Sequence, residues 1–122
     1  MFTGSIVAES LRDDARIEVD GVHVTCVSRF RVSDPGPRQP PVWTLLEISV
    51  ERPSVDPLRE VLERSIRTDG GWYADFRDET EHVVVFGDRS FRYRKGDATG
   101  RRAAQEHALA HGVPPHQVDW AD

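Results

Sequence analysis

Residues 71–93 carry the feature that most limits what this chain can become. They run Gly-Trp-Tyr-Ala-Asp-Phe (71–76), Val-Val-Val-Phe (83–86) and Ser-Phe-Arg-Tyr (90–93), parted by Arg-Asp-Glu-Thr (77–80) and Gly-Asp-Arg (87–89). Six of the chain's ten Phe, Trp and Tyr residues fall in the 22 positions 72–93. Aromatic and β-branched side chains at this density, cut into short runs by turn-forming residues, read as consecutive antiparallel strands. In the first run Trp72, Ala74 and Phe76 alternate with Tyr73, Asp75 and Arg77. In the third, Phe91 and Tyr93 alternate with Ser90, Arg92 and Arg94. That period of two is the signature of a strand with unlike faces. The middle run is apolar on both faces, as in a strand covered from above and below.

Upstream, residues 5–9 and 15–20 read as extended, with a turn at 11–14. From 22 to 32, Val22, Val24, Cys26, Phe30 and Val32 fall on one face, and His23, Thr25, Arg29 and Arg31 on the other, the pattern of a half-buried strand. Residues 34–41 hold four prolines and a glycine, so they form an exposed loop. Strand patterning resumes over 42–50. Pro53 then opens a helix with Val55, Leu58, Val61, Leu62, Ser65 and Ile66 at helical spacing. Glu60–Arg64 and Glu63–Arg67 flank it as outward i,i+4 pairs, and Asp69-Gly70-Gly71 ends it. A second helix follows the turn at 96–99 and runs to about residue 111. Its apolar face is thin (Ala103, Ala104, Ala108, Leu109), and Gly112-Val113-Pro114-Pro115 stops it. Val118 and Trp120 then return to the core.

The expected fold is one α+β domain over residues 1–122: an antiparallel sheet with two helices packed mainly on one face, in the order ββββαβββα. Trp72, Phe76, Val84, Phe86, Leu46, Ile48, Leu58, Leu62 and Trp120 are expected to be buried together. At 122 residues such a core needs no disulfide or metal to stand. The lone Cys26 reads as buried and inert. With no basic leader and no apolar run near ~20 residues, a cytoplasmic protein without a membrane partner is expected. The net charge of −5 disfavours nucleic acid as a partner.

The motifs Gly-Trp-Tyr-Ala-Asp-Phe, Val-Val-Val-Phe, Phe91-Arg92-Tyr93, Gly112-Val113-Pro114 and Gln117-Val118-Asp119-Trp120 resemble those of a family of small uncharacterised bacterial proteins common in actinobacteria. The resemblance spans roughly residues 42–122. It implies no activity, cofactor or catalytic residue; Tyr73, Asp75 and Asp119 are the polar members of its motifs.

No nucleophile elbow, phosphate loop, dinucleotide fingerprint or metal box is present, and no cofactor is implied. Three constellations remain. Residues 89–102 hold six cations against the single carboxylate of Asp97. Within that sector Arg92, Arg94, Arg101 and Arg102 are the candidate binding residues of a small binding or regulatory domain. They would dock an acidic protein surface or an anionic small molecule. The alternative is a small enzyme with a site between the sheet and the second helix, using Tyr73, Asp75, His82 or the arginines. There Asp75 orients His82 as a general-base pair if the hairpin register puts them on one face. Lastly, His107 and His111 share a helix face and His116 follows the turn. These are the metal candidates, although Ala108 stands where a metalloprotease helix has Glu, and no metal is assigned.

Overall fold

The computed structural model describes residues 1–120. Strands β1 (Phe2–Val7), β2 (Val22–Arg31) and β3 (Val42–Val50) precede helix α1 (Val55–Ser65). Strands β4 (Ala74–Arg77), β5 (Glu81–Val85) and β6 (Ser90–Arg94) follow, then helix α2 (Ala98–Ala110). The strands form one antiparallel sheet in the order β2-β3-β1-β4-β5-β6, so the α+β class read from the pattern is the class observed. No helix among the described residues is long and apolar enough to cross a membrane.

The N-terminal strand takes the middle of the sheet, between β3 and β4. Gly4 makes that possible. A Cβ there would collide with the Asp75 carbonyl and lie 2.5 Å from the Phe76 Cα. Beside it the Phe2 and Phe76 rings meet edge to face at 6.3 Å.

Three details differ from the expected architecture. Residues 15–20 form no strand, so the order is βββαβββα. β1 and β3 already have neighbours on both sides, and Ile17 and Val19 pack against the apolar cluster. Second, the helices do not share a face. Val83 and Val85 are buried with Val55, Leu58 and Leu62 of α1, whereas Val84 is buried with Ala104 and Ala108 of α2. Successive residues of a strand point to opposite faces, so α1 and α2 cover opposite sides of the sheet. A strand apolar on both faces needs a lid on each. The expected core therefore splits: Ile48, Leu58, Leu62, Trp72 and Phe76 lie in the α1 cluster, Val84, Phe86 and Trp120 in the α2 cluster, and Leu46 is half-buried.

Third, β2 is an edge strand, largely exposed, and carries a bulge between Val24 and Cys26. The extra residue reverses the facing of everything after it. Cys26 consequently parts company with Val24 and pairs with Glu47; it is exposed rather than buried, as is Val24 on the other face, because the whole strand lies at the edge of the sheet.

The proline-rich loop is tied down. Gln39 is buried; its Nε2 donates to the carbonyls of Gly70 (2.9 Å) and Gly71 (3.2 Å), and its Oε1 accepts from the Gly36 N–H (2.7 Å). Both glycines have positive φ, +87° and +69°, which turns their carbonyls toward the loop without a Cβ penalty.

Candidate functional site

α2 contributes only Ala104 and Ala108 to the interior, so it is a narrow lid. Together with the tail that follows it, α2 covers β5 and β6 on its side. Toward β2 the same face of the sheet stays open. In register across it stand Asp75 and Arg77 of β4, Ser5 and Thr3 of β1, Glu47 and Ser49 of β3, and Cys26 of β2. Near the tail the open face sinks into an apolar recess of about 190 Å³ lined by Val7, Phe30, Trp43, Leu45 and Tyr73. Beyond it lies a shallower polar trough of about 480 Å³ along Thr3, Ser5, Glu47, Ser49 and Arg77. Asp75 lines both.

Three strands converge behind that carboxylate. Asp75 Oδ2 lies 2.9 Å from His82 Nε2, and His82 Nδ1 lies 2.7 Å from the Tyr93 hydroxyl. A carboxylate only accepts, so Nε2 carries the hydrogen, and the neutral ring can accept the Tyr93 proton at Nδ1. His82 is 2% exposed, with its ring edge-on to Trp120 at 6.0 Å. Arg77 adds a longer contact to Asp75 Oδ2 at 3.4 Å. Asp75 is therefore a carboxylate of the groove held from behind by a buried imidazole. Tyr93 is itself buried beneath α2, so the chain ends in a carboxylate at the open face and a phenol inside.

Tyr73 supplies a wall and a clamp. Burial pushes its phenol up, the Trp120 indole N–H partly opposes this, and the neighbouring Asp75 charge raises it further. The hydroxyl stays protonated and donates to the Gln117 carbonyl at 2.6 Å, fastening the tail across the end of β4. Gln105 donates to the Val118 carbonyl at 3.0 Å from the helix side.

Sequence reasoning thus named Tyr73, Asp75 and His82, and the fold brings Asp75 and His82 into contact. It passed over Tyr93 as a core aromatic. The signal lay in the tight turn at Gly87-Asp88: the Phe86 N–H donates to the Arg89 carbonyl across it, and that two-residue loop sets Tyr93 opposite His82.

The arginines do not form one surface. Arg92 and Arg94 share a strand face with Val83, a residue of the α1 cluster, whereas Arg101 and Arg102 belong to α2 on the other side. Arg92 is held internally: Nε and NH2 donate to the two Glu81 carboxylate oxygens at 3.1 and 2.9 Å, and NH1 donates to Asp56 at 3.2 Å. Arg94 and Arg102 are exposed, and Arg101 is half-buried. Of the histidines, His107 and His111 meet each other and Asp88, while His116 turns away to Asp34, with Nε2 3.0 Å from its carbonyl.

Comparison of the chain with protein-family models, with curated proteins and with solved structures returns no match.

Proposed function

We propose that this chain is a small-molecule-binding domain whose ligand lies on the open sheet face beside the C-terminal tail. The ligand has an apolar, ring-sized part for the recess and a cationic hydrogen-bond donor for Asp75. The observation that carries this reading is a carboxylate fixed by a buried histidine at the border of an apolar recess and a polar trough. Recess and trough together reach the size of small-molecule sites, about 300–1,000 Å³. Asp75 and Glu47 are both register partners of Ser5, one on each side. Two inter-strand spacings put their strands about 10 Å apart. Asp75 and Glu47 outnumber Arg77, the cation that lines the trough, so the trough keeps a net negative charge that favours a positive group between the two carboxylates.

A thermal-shift and NMR titration with aromatic amines, with aromatic carboxylates as controls, tests this. Amines should raise the Tm and shift resonances of Tyr73 and Trp43. Asp75→Asn retains an oxygen for His82 but removes the charge; a charge-assisted hydrogen bond of about 1.5–3 kcal/mol corresponds to at least roughly tenfold weaker binding. Equal binding of carboxylates, or undiminished binding by D75N, would sink the proposal.

The 2.9 Å Asp75–His82 contact favours a second reading on the same face, in which Asp75 takes a proton from the bound ligand and His82 holds the carboxylate in place. Ligand turnover that disappears in D75N while binding of an uncharged analogue survives would distinguish it from simple capture.

A further inference from the structure

α2 passes over the β5–β6 turn, and its last turns set two imidazoles against Asp88. His107 Nε2 lies 3.1 Å from Asp88 Oδ1, and His111 Nε2 lies 3.2 Å from Asp88 Oδ2. Ligand atoms of all three lie within 4.8 Å of one another. The histidines are four residues apart on one helix face, with their rings stacked at 4.0 Å. Phe86 at 4.7 Å and Phe91 at 5.4 Å seat the His107 ring, so one half of the pair is fixed by packing.

The other nitrogen of His111 decides what belongs in the middle. Its Nδ1 lies 2.9 Å from the His107 carbonyl oxygen. A carbonyl only accepts, so Nδ1 carries a hydrogen, and in the neutral ring Nε2 presents a lone pair. That lone pair faces a carboxylate oxygen at 3.2 Å, acceptor against acceptor. A divalent cation satisfies all three groups together.

The two contacts to Asp88, 3.1 and 3.2 Å through its two carboxylate oxygens, come near the spacing a small ion needs. Ligand atoms around a tetrahedral ion with bonds of about 2.0–2.1 Å stand about 3.3 Å apart. The Nδ1–H contact to a backbone carbonyl is the outer hydrogen bond that orients metal-bound histidines. Two imidazoles and one carboxylate suit borderline ions such as zinc, whereas magnesium and calcium take all-oxygen sets.

We infer that Asp88, His107 and His111 form a binding site for a divalent first-row transition ion, with its remaining coordination positions open to solvent. The ion would cross-link α2 to the β5–β6 turn, staple the narrow lid onto the sheet and leave the Asp75 groove untouched.

Calorimetric titration of ZnCl₂ into the chelator-treated full chain at neutral pH is the test, with Co²⁺ absorption as the signature of nitrogen and oxygen ligation. Expected are one equivalent of Zn²⁺ bound, a Tm that climbs with Zn²⁺ concentration, and visible Co²⁺ bands of a low-coordinate site. Asp88→Asn and His111→Gln should each weaken binding by at least about tenfold, while His116→Gln leaves it unchanged. Asp88 and His111 are exposed, so both variants should fold, and a far-UV spectrum and metal-free Tm matching the parent verify this. Absence of binding at millimolar Zn²⁺, or parental affinity in both folded variants, overturns the inference.

Discussion

The two faces of the sheet are built to different rules. On the α1 side an eleven-residue helix lays Val55, Leu58 and Leu62 onto Phe2, Val50, Phe76, Val83 and Val85, all of them fully buried. On the α2 side the helix gives two alanines, and the burial is completed by a short tail carrying Val113, Val118 and Trp120. The α1 face is dry. The α2 face holds a buried tyrosine and histidine hydrogen-bonded across neighbouring strands to a carboxylate at the groove on the same face. Under the proposed function, stability and recognition are thereby separated onto opposite sides of the same strands: large side chains lock one surface, and a thin lid on the other leaves part of the sheet accessible.

Truncation of matched aromatics tests that contrast most severely. Phe76→Ala should cost about 3–5 kcal/mol in denaturant unfolding, because its cavity is walled by well-packed neighbours. Phe86→Ala should fall at or below the lower end of that range, since the α2 lid can settle into the space. A larger loss at Phe86 than at Phe76 would reverse the assignment of the stabilising face.

A smaller effect probes the polar chain. Tyr93→Phe keeps the ring but strips the hydroxyl from His82 Nδ1, a nitrogen in a side chain 3% exposed. Loss of that partner should lower stability by about 1–3 kcal/mol. It should also broaden the His82 imidazole NMR signals without disturbing resonances of α1. A neutral result would mean that the contact does not organise the site.

Much of this was readable in the residues, for physical reasons. A period of two with aromatic markers leaves few alternatives, so the last three strands and their faces followed directly. Asp75 and His82 could be paired because a hairpin with a short turn allows few registers. The placement of the helices could not be read: Val83, Val84 and Val85 demand a cover on each face, but nothing local says which helix supplies which. The bulge in β2 was equally hidden, because Val24, Thr25 and Cys26 all suit a strand and the irregularity depends on the pairing with Ile48 and Glu47. The place of Asp88 beside His107 and His111 could not be read either, because it depends on the path of α2 over the turn, a tertiary fact.

The smallest expected effect belongs to that bulge. The thiol of Cys26 is raised above its ordinary range, chiefly by its hydrogen bond to Glu47 and secondarily by that carboxylate's charge. A raised thiol holds less thiolate at any given pH. Alkylation of the native chain should therefore go to completion, as exposure allows, but more slowly than for a free cysteine near pH 8. Its rate should keep climbing at pH values where the free thiol has levelled off, and Glu47→Ala, which removes both the acceptor and the charge, should remove the lag. Resistance to labelling would return Cys26 to the interior.

The same irregularity governs how the sheet ends. A ten-residue border strand offers its outward amides and carbonyls to any extended chain that comes alongside. In β2 the insertion divides that ledge into Val22 to Val24 and Cys26 to Arg31, which are out of phase with each other. A straight newcomer can match one piece only, and the longer piece carries Arg29 and Arg31, whose charges a second copy of β2 would have to meet with its own. The opposite border, β6, is just five residues long. Neither rim offers a long, uninterrupted template, so the kink that displaced a cysteine also limits growth of the sheet into a filament.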